Sequence, residues 1–195
     1  MAIARSPVFK RCGYLGINPL VLGYTHKPSI RNRKIKRSKT TEYGLQLKEK
    51  QKVRFIYGVL EKQFRLIYLR AERMPGITGE NLLRLMELRF DNIVFRLGFA
   101  STRRQARQMI THGFFQVNRE RMDIPSHTLQ IGDVISIKEH HRKEISTKRM
   151  QLNRLLPSWL GFDEMIIEGI VNGLPRRSEI DFEVKESSIV ELYSR

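Results

Sequence analysis

The sequence predicts an α+β fold: a basic extended N-terminal arm, a helical subdomain, and a small module of two helices packed on a short-stranded, mostly antiparallel sheet. Three observations carry this. From Val53 to Leu97 apolar residues recur every three or four positions, which is the spacing of buried helix faces. Past Gly113 the period shortens to β-branched and aromatic runs separated by polar turns. The first forty or so residues are dense in cations, proline and glycine and offer little apolar pattern. The expected divisions are 1–42 for the arm, 43–86 for the helical subdomain, 87–154 for the module with its core at 87–137, and 155–195 for a C-terminal segment whose short strands pack back on the body.

Charge narrows the function classes. The 195 residues include 36 Lys and Arg against 20 Asp and Glu, a formal net charge of +16. Such an excess predicts a polyanionic partner, nucleic acid or an anionic surface. No apolar run approaches the roughly 20 residues of a spanning helix, so no membrane partner is expected. The opening MAIARSPVFKR lacks the apolar core of a secretory signal. A single cysteine, Cys12, forms no internal disulfide, which points to a reducing compartment.

In the arm, Pro7, Pro19 and Pro28 alternate with Gly13, Gly16 and Gly23, so little independent core is expected. The run from Arg31 to Lys39 is the densest charge block in the chain, suited to ordering on RNA as its charges displace counterions. Cys12 and His26 do not make the several ligands that structural zinc needs, so no metal site and no cofactor are expected.

From Gly44 to Arg73, Val53, Ile56, Tyr57, Leu60, Phe64, Ile67, Tyr68 and Ala71 form one long apolar helical face. Lys48, Lys50, Lys52, Arg54, Lys62 and Arg65 lie largely off it. The aromatics at this spacing are core residues, because the stripe itself demands burial. Pro75-Gly76 makes a turn, and Thr78-Gly79-Glu80-Asn81 starts a further helix with an acid in its first turn.

In the module, Met86, Phe90, Ile93, Val94 and Leu97 form the stripe of a first helix, with Arg89, Asn92 and Arg96 off it and Gly98 as its stop. Thr102 followed by Gln105 is a capping-box pattern that starts a second helix. Ala106, Met109 and Ile110 would be its buried face, and Arg104, Arg107, Gln108 and Thr111 its outer one. Phe114-Phe115 and Val117 read as a strand, Asn118 to Arg121 as a turn, and Val134 to Ile137 as another strand after Gly132-Asp133. Arginines held at fixed spacing suit phosphate oxygens, because the planar guanidinium bonds two at once.

Beyond it, 138–154 reads as a basic, phosphate-facing or solvated surface, with His140 and His141 adjacent and thus badly placed as joint ligands. Trp159 could stack on a base, but its neighbours Leu156 and Leu160 favour packing. The final Ser188 to Arg195 has β character. Glu179, Asp181, Glu183 and Glu186 read equally as local solubility or as a protein-facing patch.

Several of these runs together resemble one family. Arg89-Phe90-Asp91-Asn92, Arg96-Leu97-Gly98-Phe99-Ala100, Thr102-Arg103 through Gln108, His112-Gly113, Val117-Asn118, Ile124-Pro125-Ser126 and Gly132-Asp133-Val134 resemble the RNA-binding module of the bacterial-type ribosomal protein S-four family. YGLQLKEKQKVRFIYGVLEKQF, TGENLL and the ending VELYSR resemble the same family, so the likeness covers roughly 43–195. Two departures stand out. Relatives often carry four cysteines around zinc where this chain has only Cys12, and they place glycine where this chain has Arg119. Arginine meets a steric penalty in a two-residue turn, so the hairpin is expected to be longer or strained.

The resemblance implies a structural constituent of the small ribosomal subunit that binds its ribosomal RNA early and nucleates the subunit body. It implies ribosomal proteins three and five and messenger RNA as neighbours, an influence on accuracy, and a place in cytoplasmic ribosomes, with those of an organelle as the alternative. The RNA-binding candidates are Arg89, Arg96, Arg103, Arg104, Arg107, Gln108, His112 and Asn118 in the module. Lys48, Lys50, Lys52 and Arg54 join them from the first long helix, and Arg31, Arg33, Lys34, Lys36, Arg37 and Lys39 from the arm. Replacing Arg103, Arg104 and Arg107 by glutamate is expected to remove specific RNA binding and leave the helix content intact. The rival classes are an RNA-modifying enzyme and a stand-alone RNA-binding stress protein with the same module. No Lys-Ser/Thr phosphate loop, His-Glu-x-x-His or nucleophile elbow is present, and the chain is expected not to be an enzyme.

Overall fold

The structure, a computed structural model, describes residues 7–24, 41–152 and 154–194. The chain forms two compact units, Met1–Asn81 with Asp181–Arg195, and Leu82–Ile180. The expected C-terminal segment 155–195 is therefore divided, its first part belonging to one unit and its last fifteen residues to the other.

The first unit is helical. Among the described residues it holds α1 (Val8–Leu15), a short 3-10 turn (Pro19–Leu22), α2 (Glu42–Tyr57), α3 (Glu61–Glu72), the start of α4 (Thr78–Glu87) and, from the far end of the chain, α8 (Glu186–Tyr193). Residues 7–24 thus depart from the expected extended arm: Cys12, Leu15 and Leu22 are buried, and the Arg11 guanidinium donates to Gln51 of α2 at 3.3 Å. The single helix expected over 44–73 is two. The Thr41 hydroxyl accepts from the Gly44 amide to start α2, and Gly58 ends it at φ 62°, a conformation that costs a residue without Cβ little.

The unit's core joins Val53, Ile56 and Tyr57 of α2 to Phe64, Tyr68 and Ala71 of α3, with Phe182 and Ile189 from the C-terminal segment. Phe182 meets the Tyr57 ring edge-on at 5.9 Å, and Tyr193 stacks on Tyr68 at 4.4 Å. The β reading of Ser188 to Arg195 is corrected here: Ser188 to Tyr193 belong to α8, and Arg195 lies outside the described residues. Helical spacing puts Ile189 and Tyr193 one turn apart on the same side, where Ile189 is fully buried and Tyr193 meets Phe64 and Tyr68. Strand propensity is largely a preference for a pleated, half-buried neighbourhood, and among the described residues of this unit no strand provides one.

The second unit holds the rest of α4, α5 (Phe90–Arg96), α6 (Arg103–Thr111), β1 (Phe115–Val117), β2 (Glu120–Arg121), β3 (Val134–Ile137), α7 (Glu139–Leu152), β4 (Leu160–Asp163) and β5 (Glu168–Val171). Its sheet has five strands in the order β2-β1-β3-β5-β4, every neighbouring pair antiparallel. Phe90, Ile93, Phe99, Ala106, Ile110, Phe115, Ile135 and Val171 make one core between helices and sheet. A Cβ on Gly169 of β5 would stand 2.4 Å from a Leu97 methyl, so the bare backbone there sets how closely β5 approaches the end of α5.

Two local features bear on sequence expectation, the first departing from it and the second deciding between its alternatives. The stripe from Met86 to Leu97 is interrupted, since α4 stops at Glu87 and Arg89 is extended at φ −67°, ψ 138°. The cause is a distant loop. The Phe90 and Asp91 amides donate to the carbonyls of His127 and Pro125 at 2.8 and 3.0 Å, and the Leu129 amide donates to the Leu88 carbonyl. The β1–β2 hairpin has only two loop residues, because Val117 pairs with Glu120; Asn118 and Arg119 take φ 51° and 68°. Arg119 thus occupies the left-handed region, and the hairpin is strained rather than longer.

Candidate nucleic-acid interface

The site is built from the α5–α6 pair. α6 starts where the capping pattern placed it, with the Thr102 hydroxyl accepting from the Gln105 amide at 3.2 Å. The returning half of the box shifts by one residue, since Gln105 Oε1 accepts from the amide and hydroxyl of Ser101. Ala106, Met109 and Ile110 face the core, as their spacing predicts. Arg104, Gln108, Thr111 and His112 are exposed along the opposite side, one turn apart.

The remaining arginines face inward. All seven residues of α5 are buried, so Asn92 and Arg96, placed off the apolar stripe by sequence, lie inside as well. Arg89 holds Asp91 in a fork, Nε at 3.1 Å and Nη2 at 2.9 Å, and Arg107 Nε reaches the same carboxylate at 2.6 Å. Arg96 grips Glu87 with Nε at 3.1 Å and Nη2 at 2.9 Å. Asn92 joins the two helices, its Nδ2 donating to Glu87 Oε2 at 2.7 Å and its Oδ1 accepting from Arg103 Nε at 2.8 Å. Glu87 and Asp91 are each 1 % exposed, and Arg89, Arg96 and Arg103 at most 8 %. Ions that deep need compensation: the two carboxylates are paired with Arg89, Arg96 and Arg107, while Arg103 is held by Asn92 and lies over the Phe95 ring at 4.2 Å.

Of the candidates, then, Arg104, Gln108 and His112 are on the surface, Arg107 is partly buried against Asp91, and Arg89, Arg96 and Arg103 belong to the interior network. The triple glutamate variant expected to keep its fold would place new negative charge beside Asp91 and Asn92, so it does not separate binding from folding. Asn118 is also committed: its side chain donates to Asp133 at 2.8 Å and accepts from the Val134 amide at 2.9 Å, holding the hairpin turn.

In the helical unit, Lys50 and Arg54 pair with Glu61 at 2.9 and 2.6 Å, and Lys52 pairs with Glu49 at 2.6 Å. Lys48 makes no such pair among the described residues. Arg31, Arg33, Lys34, Lys36, Arg37 and Lys39 lie outside the described residues.

Sequence reading missed Glu87, because its partner Arg96 is nine positions away. It also read 138–154 as outward-facing. In the structure Arg149 donates to the Leu97 carbonyl at 3.1 Å and Arg154 to those of Phe95 and Ser101 at 2.7 and 2.5 Å. These cations cap the C-terminal end of α5, where unpaired carbonyls and the helix dipole both favour positive charge. His141 stacks on Phe114 at 3.6 Å, a packing role rather than a ligand's. Trp159 is buried. Among the described residues no group of three or more His, Cys, Asp or Glu gathers to hold a metal, and no helix is long and apolar enough to cross a membrane.

The surface this leaves is a rigid helix face of guanidinium, amide, hydroxyl and imidazole groups, backed by a buried ionic network. It suits hydrogen bonding to phosphates and ribose hydroxyls and offers no nucleophile with a paired base.

Comparison with known proteins agrees in both units. Residues 22–87 match the family described as Ribosomal protein S4/S9 N-terminal domain, and residues 88–135 match the S4 domain. The small ribosomal subunit protein uS4 of Agathobacter rectalis is 49% identical, that of Lachnospira eligens 48% and that of Fusobacterium nucleatum 44%, each alignment covering 100% of both chains. At such identity over the whole length, the chain belongs to the small ribosomal subunit protein uS4 family, whose members are structural ribosomal proteins and not enzymes.

Proposed function

We propose that this protein is a structural constituent of the small ribosomal subunit that binds the subunit's ribosomal RNA directly and early, nucleating assembly of the body. The observation that carries the RNA-binding half is the exposed face of α6. Arg104, Gln108 and His112 present polar groups at one-turn spacing from a helix whose inner side is locked to α5, and the exposed Thr111, whose hydroxyl donates to the Arg107 carbonyl at 2.9 Å, adds an acceptor. A-form RNA offers its backbone and 2′-hydroxyls more readily than its base edges, and donors at fixed spacing read that shape. Arg107 adds a partly exposed guanidinium, while Arg89, Arg96 and Arg103 position α6 from behind. Lys48 and the cations of 31–39 supply further, salt-sensitive affinity.

Family membership extends the reading to cytoplasmic ribosomes, to ribosomal proteins three and five as neighbours, to the channel through which messenger RNA enters, and to decoding accuracy. The test is affinity of the full chain for the five-prime domain of small-subunit ribosomal RNA against a length-matched unrelated RNA, across a salt series. The expected result is a preference that survives high salt and drops about tenfold in Arg104→Gln, with the urea midpoint of that variant unchanged. Equal affinity for both RNAs, collapsing together as salt rises, would overturn it.

A further inference from the structure

The outward side of α3 carries charge that the α6 face does not account for. At about 100° per residue, Lys62, Arg65, Arg70 and Arg73 fall in an arc of about 140°, with Leu66 and Leu69 inside it. Phe64, Tyr68 and Ala71 occupy the opposite, buried side. All four cations are exposed, and none forms an ion pair or side-chain hydrogen bond among the described residues. Leu66 is 52% and Leu69 39% exposed between them. The face runs about 16 Å along the helix axis.

A helix face that serves only solubility mixes its signs, since opposite charges one turn apart support a helix and like charges oppose it. Here Lys62 with Arg65 and Arg70 with Arg73 are like pairs three residues apart. The acids of the same helix do not relieve them. Glu61 is turned to α2, where it takes Lys50 at 2.9 Å and Arg54 at 2.6 Å, and it also accepts from the Tyr193 hydroxyl at 3.0 Å. Glu72 lies at the edge of the arc and pairs with none of the four. The free protein therefore keeps four like charges and two leucines on one face, an arrangement that a polyanion with an apolar sugar surface would neutralise and cover.

We propose that this face of α3 is a second RNA-contacting surface, in which Lys62, Arg65, Arg70 and Arg73 meet successive backbone phosphates and Leu66 and Leu69 lie against ribose. The inference rests on the reading of the chain as an RNA-binding protein. A protein partner is disfavoured because four unpaired cations on one helix would each need a carboxylate, whereas an RNA backbone supplies regularly spaced charge along the same length.

The experiment compares the full chain with the fourfold variant K62Q/R65Q/R70Q/R73Q. The variant is expected to keep its helix content and a urea midpoint close to that of the parent, because relief of repulsion offsets the loss of two cations from the C-terminal end of α3, where the helix dipole favours them. Its affinity for the ribosomal five-prime domain should drop at least about tenfold near 0.15 M salt. The slope of log K against log salt should become shallower by about three, near one per lost phosphate contact. Unchanged affinity and slope in the folded variant would overturn the proposal. So would normal RNA binding combined with failure to enter reconstituted subunits, since that pattern belongs to a protein-facing surface. The slope is read on the unrelated RNA as well. Absence of preference in the parent chain would then sink the proposed function, while the slope difference still decides the role of α3.

Discussion

Asp91 accepts from two arginines, Arg89 ahead of it on the chain and Arg107 on the next helix, while only 1 % of its surface is exposed. Its charge makes both guanidinium groups tolerable in the interior, and it ties α6 to α5. Removing one partner of a buried pair leaves the other charge uncompensated, which costs more than the pair itself contributes. Asp91→Asn is therefore expected to lower stability by about 3 kcal/mol in urea unfolding. RNA affinity should fall with it, because Arg107 loses the anchor that fixes its partly exposed side. A drop below about 0.5 kcal/mol would mean the network is not what holds α6 in place.

Among elements, the α2–α3 pair shows how one side chain sets the pH range of a contact. Burial alone would raise the Glu61 carboxyl, but the hydrogen bond from Lys50, the charge of Arg54 and the Tyr193 hydroxyl outweigh it and hold it below the ordinary carboxylate value. A depressed pKa gives stability that is present above the unfolded value and lost as pH falls through the folded one. Tyr193 runs the other way. Burial first, then the neighbouring Glu61 charge, push its phenol upward. Stability tied to its neutral form is complete below the unfolded value of about 10 and is lost as pH rises beyond it. Thermal midpoints of the parent chain should fall below about pH 4 and above about pH 10. In Glu61→Gln the acid limb should flatten, and persistence of the same acid slope would assign it to other carboxylates.

For the whole molecule, the notable fact is that the helical unit is discontinuous, since α8 returns from the end of the chain to pack on α2 and α3. Phe64 and Tyr68 are covered by Tyr193, so ending the chain before Glu186 would expose them. This truncation is expected to cost the helical unit about 3 kcal/mol or more, the scale of removing large buried side chains. The unit of Leu82–Ile180 should keep its own transition. Differential scanning calorimetry that shows both transitions moving together would mean the two units do not unfold separately.

Some of this was determined by sequence alone. The start of α6 at Thr102, its inner face of Ala106, Met109 and Ile110, the strands around Phe115 and Ile135, and a charge of +16 all follow from local spacing and composition. So does the family resemblance, because motif residues stand in order along the chain. What only the tertiary structure decided is which cations face out. Arg96 finds Glu87 nine positions back, Arg103 finds Asn92 across eleven, and Arg107 finds Asp91 across sixteen, so periodicity along one helix cannot register these pairs. Ser188 to Tyr193 became part of a helix for the same reason, the aromatic partners of Tyr193 standing more than a hundred residues earlier. Local spacing fixes the faces a segment can offer; burial, which selects among them, depends on partners that the fold alone brings together.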